Sequence, residues 1–348
     1  MMRAPSNETA CRVLFLQAAD EGRGPLLFGA DADRACEKVL PFVKGVPFPT
    51  LYLEFPLLGD PFLDVTVLEG KIPAGTRFDT PAAAGTERMI DWYAGVRQAE
   101  GPGKHEGICF GFEVDTKAPD GTRAAVHFQH YSRIGLAGAF CEALGEAEAG
   151  QRYMEKASRM PEGWPLAFFG FFRGRAGAPL RICGYMAREE KNRIAEDPAR
   201  LKQAFGQIGF TAWDEAMLNR VSELLRLAPE SVDFQFDLLP DGTMGGTFAI
   251  DVCFGIRRTE EVSASFRDGP AARLMKTLEA WGAADDRWQQ AAGMAFTRGI
   301  PVEDEEGKNS DFGFILTPNW LKVRWRGGVL QPSKLYCVGE ARIIKEDS

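Results

Sequence analysis

Five segments of this 348-residue chain read as β-hairpins, and in each of them the side chains alternate between an apolar series and a polar one. Leu51-Tyr-Leu-Glu-Phe55 shows the pattern, and Val232-Asp-Phe-Gln-Phe-Asp-Leu238 repeats it. Successive side chains on a strand point to opposite faces, so such segments build a sheet with one hydrophobic face and one chemically loaded face. Helices can bury the first face. The second must then meet solvent or line a cavity, and a closed barrel allows this without leaving an unpaired edge.

The first hairpin joins 51–55 to Leu63–Val67, and the second joins 108–114 to 125–131 across Pro119-Asp-Gly121. Pro-Asp-Gly is strong turn chemistry. The third pairs Leu166–Phe172 with Leu180–Tyr185, and the fourth pairs 232–238 with 248–254 across Pro240-Asp-Gly242. The fifth pairs Phe312–Leu316 with Leu321–Trp325 about Pro318-Asn319, and a further strand follows at 334–338. Apolar stripes at helical spacing fill the gaps. One holds Phe210, Trp213, Met217, Val221 and Leu224, with Thr211 as its expected N-cap, and another runs from Trp288 to Phe296. The fold expected is α/β of the α+β kind: a closed antiparallel barrel of about ten strands, built from ββαα repeats and ringed by helices around a polar lumen. One domain is expected over 1–348, with the barrel mainly in 50–340.

Composition narrows the function. A net charge of −8 argues against a non-specific nucleic-acid binder, which needs a basic surface. No run approaches the roughly 18 apolar residues of a membrane span. Seven cysteines without a CxxC pair read as reduced thiols, so a cytoplasmic protein is expected.

Alternation assigns Tyr52, Glu54, Asp64, Thr66, Glu113, His127, Gln129 and Tyr131 to the lumen. Arg181, Cys183, Tyr185, Gln235, Asp237, Asp251 and Cys253 join them, as do Lys322, Arg324 and Arg326. Lys334 and Tyr336 lie on a strand whose direction alternation does not fix. Arg181, Lys322, Arg324 and Lys334 would make a cationic cluster suited to a phosphate or diphosphate. Glu54, Glu113, Asp237 and Asp251 could serve as base, metal ligand or partner to a donor. Tyr131, Tyr185 and Tyr336 could wall a cavity and shield a carbocation with their π-faces. An open sheet with one wet face is the competing account.

Repeated ββαα units with a polar lumen resemble the ABBA-fold, or PT-barrel, prenyltransferases of indoles, phenols and cyanobactin-type peptides. Leu53-Glu54-Phe55 is similar to the first-hairpin Glu of the indole and peptide enzymes. Lys322-Val-Arg324 and Lys334-Leu-Tyr336 are similar to their late-strand diphosphate-holding positions. The resemblance implies a prenyl group moved from an allylic diphosphate co-substrate to an aromatic or peptide side-chain acceptor, in natural-product or ribosomal-peptide biosynthesis. It implies Glu54 as the catalytic group that takes the acceptor proton. It implies Arg181, Lys322, Arg324, Lys334 and Tyr336 at the donor, with Tyr131, Tyr185, Glu113 and Gln235 in the substrate wall. Asp237 and Asp251 are additional to that pattern and point to a Mg²⁺ ion or a cationic acceptor. A non-catalytic barrel that binds a peptide or small molecule stays open, as does an enzyme of other chemistry using the luminal carboxylates.

Other constellations carry less. His127 and His130 are three apart on a strand and face opposite ways, so they cannot share a metal. Cys109 and His127 could form a dyad, although a buried inert thiol is the simpler reading. Asp285-Asp286 lacks the third acid of an aspartate-rich metal motif, and no phosphate-binding glycine loop occurs.

Overall fold

The computed structural model describes residues 2–19, 32–70, 72–100, 108–131, 133–174, 180–303 and 309–344. Ten strands close on themselves: β2 (Thr50–Pro56), β3 (Asp64–Glu69), β4 (Cys109–Val114), β5 (Ala125–Gln129), β6 (Leu166–Phe171), β7 (Leu180–Met186), β8 (Val232–Leu238), β9 (Met244–Cys253), β11 (Asn309–Arg326) and β13 (Lys334–Ile344). Neighbours follow chain order from β2 to β9; β9 then pairs β11, β11 pairs β13, and β13 returns to β2, all antiparallel. Outside the ring, β10 (Phe296–Glu303) pairs the first half of β11, β1 (Met2–Arg3) lies parallel to β10, and β12 (Val329–Leu330) pairs the end of β11.

Helices pack on the outer face. They are α1 (Asn7–Ala19), α2 (Ala32–Val43), α3 (Glu87–Glu100), α4 (Gly135–Leu144), α5 (Ala147–Ala157), α6 (Arg188–Glu196), α7 (Pro198–Ile208), α8 (Glu215–Leu227), α9 (Thr259–Arg267), α10 (Pro270–Ala280) and the single turn α11 (Ala291–Met294). The core is the cylinder between strands and helices. Phe110, Phe112, Phe128, Phe169, Phe234, Phe236 and Phe248, all outward by alternation, are fully buried there. Phe128 stacks on Phe140 of α4 with ring centroids 4.2 Å apart, and Phe205 of α7 meets Phe248 edge-on at 5.0 Å. No helix among the described residues is long and apolar enough to cross a membrane.

The last hairpin differs from expectation. Residues 312–316 and 321–325 are two halves of the single strand β11, and Pro318-Asn319 is a register shift within it. Asn319 is held in line, its carbonyl accepting from the Phe254 amide at 2.9 Å and its side-chain oxygen from the Ile256 amide at 3.2 Å. The chain reverses instead at Gly327-Gly328, both at positive φ, where glycine is least strained. Two helix readings also shift. The N-cap of α8 is Asp214, not Thr211, and its carboxylate accepts from the Met217 amide at 2.7 Å. The stripe begun by Trp288 divides into a 3₁₀ turn at Asp286–Gln290, the turn α11, and β10, where Phe296 already belongs to a strand.

Candidate active site

The barrel encloses a cavity of about 600 Å³. Its wall includes Tyr52, Glu54, Glu113, His127, Gln129, Tyr131, Arg181, Cys183, Tyr185, Gln235, Asp251, Lys322 and Tyr336. Beneath it a smaller pocket is bounded by Glu54, Glu113, Arg181, Gln235, Lys322, Arg324 and Lys334. Tyr131 and Tyr185 stand at the rim, 49% and 40% exposed. Tyr131 has φ 46°, the one positive φ of a non-glycine residue among those described, and its amide donates to the Ala167 carbonyl at 2.8 Å. An aromatic residue in that region is strained and needs its surroundings to hold it.

Cross-strand register sets the electrostatics. Tyr185 pairs with Asp233, Asp233 with Asp251, Asp251 with Lys322, and Lys322 with Lys334. The row therefore runs acid, acid, base, base across β8, β9, β11 and β13. Like charges directly opposite on neighbouring strands repel, and within the row the contact between Asp251 and Lys322 joins the two halves. The adjoining row places Trp320 beside Tyr336, Tyr336 beside Glu54, and Glu54 beside Asp64.

The lower lumen is charge-paired. Lys334 Nζ lies 3.2 Å from Glu54 and 2.9 Å from Asp64. Arg181 Nε lies 3.1 Å from Asp237, with its guanidinium 4.3 Å from the Phe172 ring centroid. Lys322 is 3.9 Å from Asp251 and 5.0 Å from the Tyr336 ring centroid. Burial would raise the pKa of Glu54, but Lys334 and Lys322 overcome it and hold the carboxyl below its usual range. Asp64 shares Lys334 yet is pushed up to about 6, because its burial outweighs the ammonium. Asp251 is likewise raised to about 6 by burial against the pull of Lys322, and Gln235 donates to its other oxygen. The Tyr336 hydroxyl, in a residue 8% exposed, stands across from Glu54, and burial together with that carboxyl raises its pKa.

Of the residues placed in the lumen from sequence, all but Asp64, Asp237, Cys253 and Arg326 line one of the two cavities; Asp64 is tied to Lys334, and Asp237 is the ion-pair partner of Arg181. Cys253 turns toward the Gly255 amide, and Arg326 is exposed. His127 binds Glu113 at 3.1 Å, and Gly170 opposite leaves its imidazole room, since a Cβ there would sit 2.7 Å from the ring. His130 points outward to the Tyr153 hydroxyl at 2.7 Å, buried to a pKa of about 4. The Cys109 thiol donates to Gln129 at 3.0 Å and burial pushes it up to about 12, which removes a Cys–His dyad. Asp285 caps a 3₁₀ turn and pairs with Arg287 at 2.7 Å. Sequence reading missed Asp233, Ser231, Phe168 and Trp320. Asp233 was legible, since it shares the alternating face of Gln235 and Asp237.

Three or more His, Cys, Asp or Glu side chains do not converge with metal-binding geometry among the described residues. Glu54, Asp64, Asp237 and Asp251 sit instead against ammonium or guanidinium groups and Glu113 against His127, a donor set that does not fit a protein-held Mg²⁺.

A closed ten-stranded antiparallel barrel inside a helical ring is the ABBA, or PT-barrel, fold of aromatic prenyltransferases. The chain is similar in structure to 5-dimethylallyltryptophan synthase from Streptomyces coelicolor, with TM-score 0.54, 13% identity, and coverage of 97% of this chain and 98% of that one. The same synthase in complex with DMASPP and Trp gives TM-score 0.53 at 13% identity, covering 97% and 95%. No protein-family model and no curated protein sequence matches the chain.

Proposed function

We propose that the protein transfers an allylic prenyl group from its diphosphate to an aromatic or peptide side-chain acceptor held in the barrel. One observation carries this reading: Lys322, Arg181 and the Tyr336 hydroxyl face a cavity that also holds buried Glu54 beneath an aromatic rim. The S. coelicolor synthase of the same fold, solved with DMASPP and Trp, supports a prenyl diphosphate and an aromatic acceptor as the partners.

The diphosphate would take Lys322, Lys334, Arg324, Arg181 and Tyr336. Their charge stabilises the leaving group as the C–O bond breaks and its electron pair departs with the diphosphate. The rim tyrosines exclude water and face the allylic cation. The acceptor's π electrons form the new bond at the allylic carbon, and Glu54 takes the proton released. A diphosphate that recruits Lys334 withdraws the ammonium that holds Glu54 ionised, so donor binding strengthens the base.

The pairing of Lys334, Arg181 and Lys322 with carboxylates favours a second reading, a barrel that holds a ligand without chemistry. Calorimetry with dimethylallyl, geranyl and farnesyl diphosphate separates the two. Saturable binding of one of them, with diphosphate released on adding an indole acceptor, is expected; absence of binding by all three would leave the second reading standing.

A further inference from the structure

The acidic half of the cross-strand row, Asp233 and Asp251, takes no part in holding the diphosphate or removing the acceptor proton. Asp233 lines the cavity, and its carboxyl makes no hydrogen bond or ion pair among the described residues. Asp251, 9% exposed, has one oxygen without a hydrogen-bond partner, its nearest cation being Lys322 at 3.9 Å. Tyr185 stands opposite Asp233, and Tyr52 and Tyr131 are near enough to feel its charge. Two facing carboxyl groups in a partly desolvated wall cannot both ionise without repelling each other and lack water's full compensation. A cation with several N–H donors answers both faults at once, and tyrosine faces accept it as well.

We infer that the acceptor is an aromatic molecule of net positive charge, whose protonated amine sits on Asp233 and Asp251 while its ring lies against Tyr52, Tyr131 and Tyr185. The inference rests on the prenyl-transfer reading for the word acceptor, and adds the class of molecule. A zwitterion fits less well. Of the cations on the cavity wall, Arg181 is engaged by Asp237, and Lys322 is shared between Asp251 and the donor. An acceptor carboxylate at the rim would therefore meet Asp233. The ammonium is a handle only: it has no lone pair and keeps its protons. The bond forms from the ring, whose proton passes to Glu54.

Asp233 is raised to about 8, by burial first and by Asp251 second. The groups facing it are Tyr185, Asp251, Lys322, Tyr52 and Tyr131. Seating an ammonium there favours the carboxylate and expels a proton.

Four ligands with one ring system test this by calorimetry at neutral pH in two buffers of different ionisation enthalpy: tryptamine, tryptophan, indole and indole-3-propionate. Tryptamine should bind at least about tenfold tighter than indole and tighter than tryptophan, releasing a proton to the buffer. Asp233→Asn should bring tryptamine to within about threefold of indole. Because the ligand comparison uses the intact protein, it decides even if the variant misfolds. Indole or indole-3-propionate binding as tightly as tryptamine would overturn the inference, as would a preference that survives in both Asp233→Asn and Asp251→Asn. Donor titrations run in parallel report separately on prenyl transfer: failure of every allylic diphosphate with the amine preference intact removes the chemistry and leaves the amine seat.

Discussion

Two glutamates on the first hairpin, one on each face of the barrel wall, have opposite fates. Glu54 faces the lumen, 5% exposed, with Lys334 at 3.2 Å, and is held ionised. Glu69 faces the helices, 1% exposed, with neither oxygen hydrogen-bonded among the described residues, and burial alone pushes it up to about 8. Burial is nearly equal; the difference is a partner. Charge in this molecule is thus organised on the luminal side of a strand and only tolerated on the outer side.

The largest effect expected breaks the luminal member. Glu54→Gln keeps the shape but removes the base, so turnover should fall by about 10²–10⁴-fold while allylic diphosphate affinity changes little. A single-turnover assay beside calorimetry checks both, and a large loss of donor affinity instead would move Glu54 to the donor side.

Glu69→Gln should stabilise the fold. At acid pH both folded and unfolded states hold the proton and the variant gains nothing. As pH rises past 4.5 the unfolded chain ionises while the folded one does not, so the wild type loses stability until about 8, above which the loss is complete. The variant's advantage in urea unfolding should therefore grow to about 2–4 kcal/mol near pH 9 and vanish near pH 4. A constant difference across that range would mean Glu69 stays neutral or finds a partner.

Lys322→Ala should weaken allylic diphosphate binding by about 1–3 kcal/mol, the range for hydrogen bonds to charged groups. The smallest effect belongs to the outer layer: Asp214→Ala should cost about 1 kcal/mol in thermal unfolding and Thr211→Ala close to none.

Period-two alternation made the barrel legible, because a face once assigned fixes every second residue. It places Glu54, Glu113, Arg181, Gln235, Asp251, Lys322 and Arg324 on the inner face, and all of them line the cavities. It failed where local chemistry misleads. Pro318-Asn319 looks like a turn, but Asn319 has backbone donors from the end of β9 to keep the strand running. Thr211 looks like a cap, but Asp214 stands one turn nearer the helix. Pairing was invisible from alternation: the Lys334–Glu54 contact joins residues 280 apart in sequence, and no pattern within a strand reports which cation meets which acid. The facing of Asp233 and Asp251 likewise follows from register rather than from either strand alone.

That same distant pairing bears on how the molecule is made. β13 is the stave that joins β11 to β2, so the cylinder cannot shut until residues 334–344 have left the ribosome. Until then β2 is a naked edge, able to recruit any strand it meets. Closure between strands whose paired residues lie as far as 280 apart in sequence makes assembly slow, and slow assembly with open edges is when aggregation competes. Refolding yield should thus depend steeply on protein concentration, and a chain ending before Lys334 should collect as insoluble material rather than as a smaller barrel.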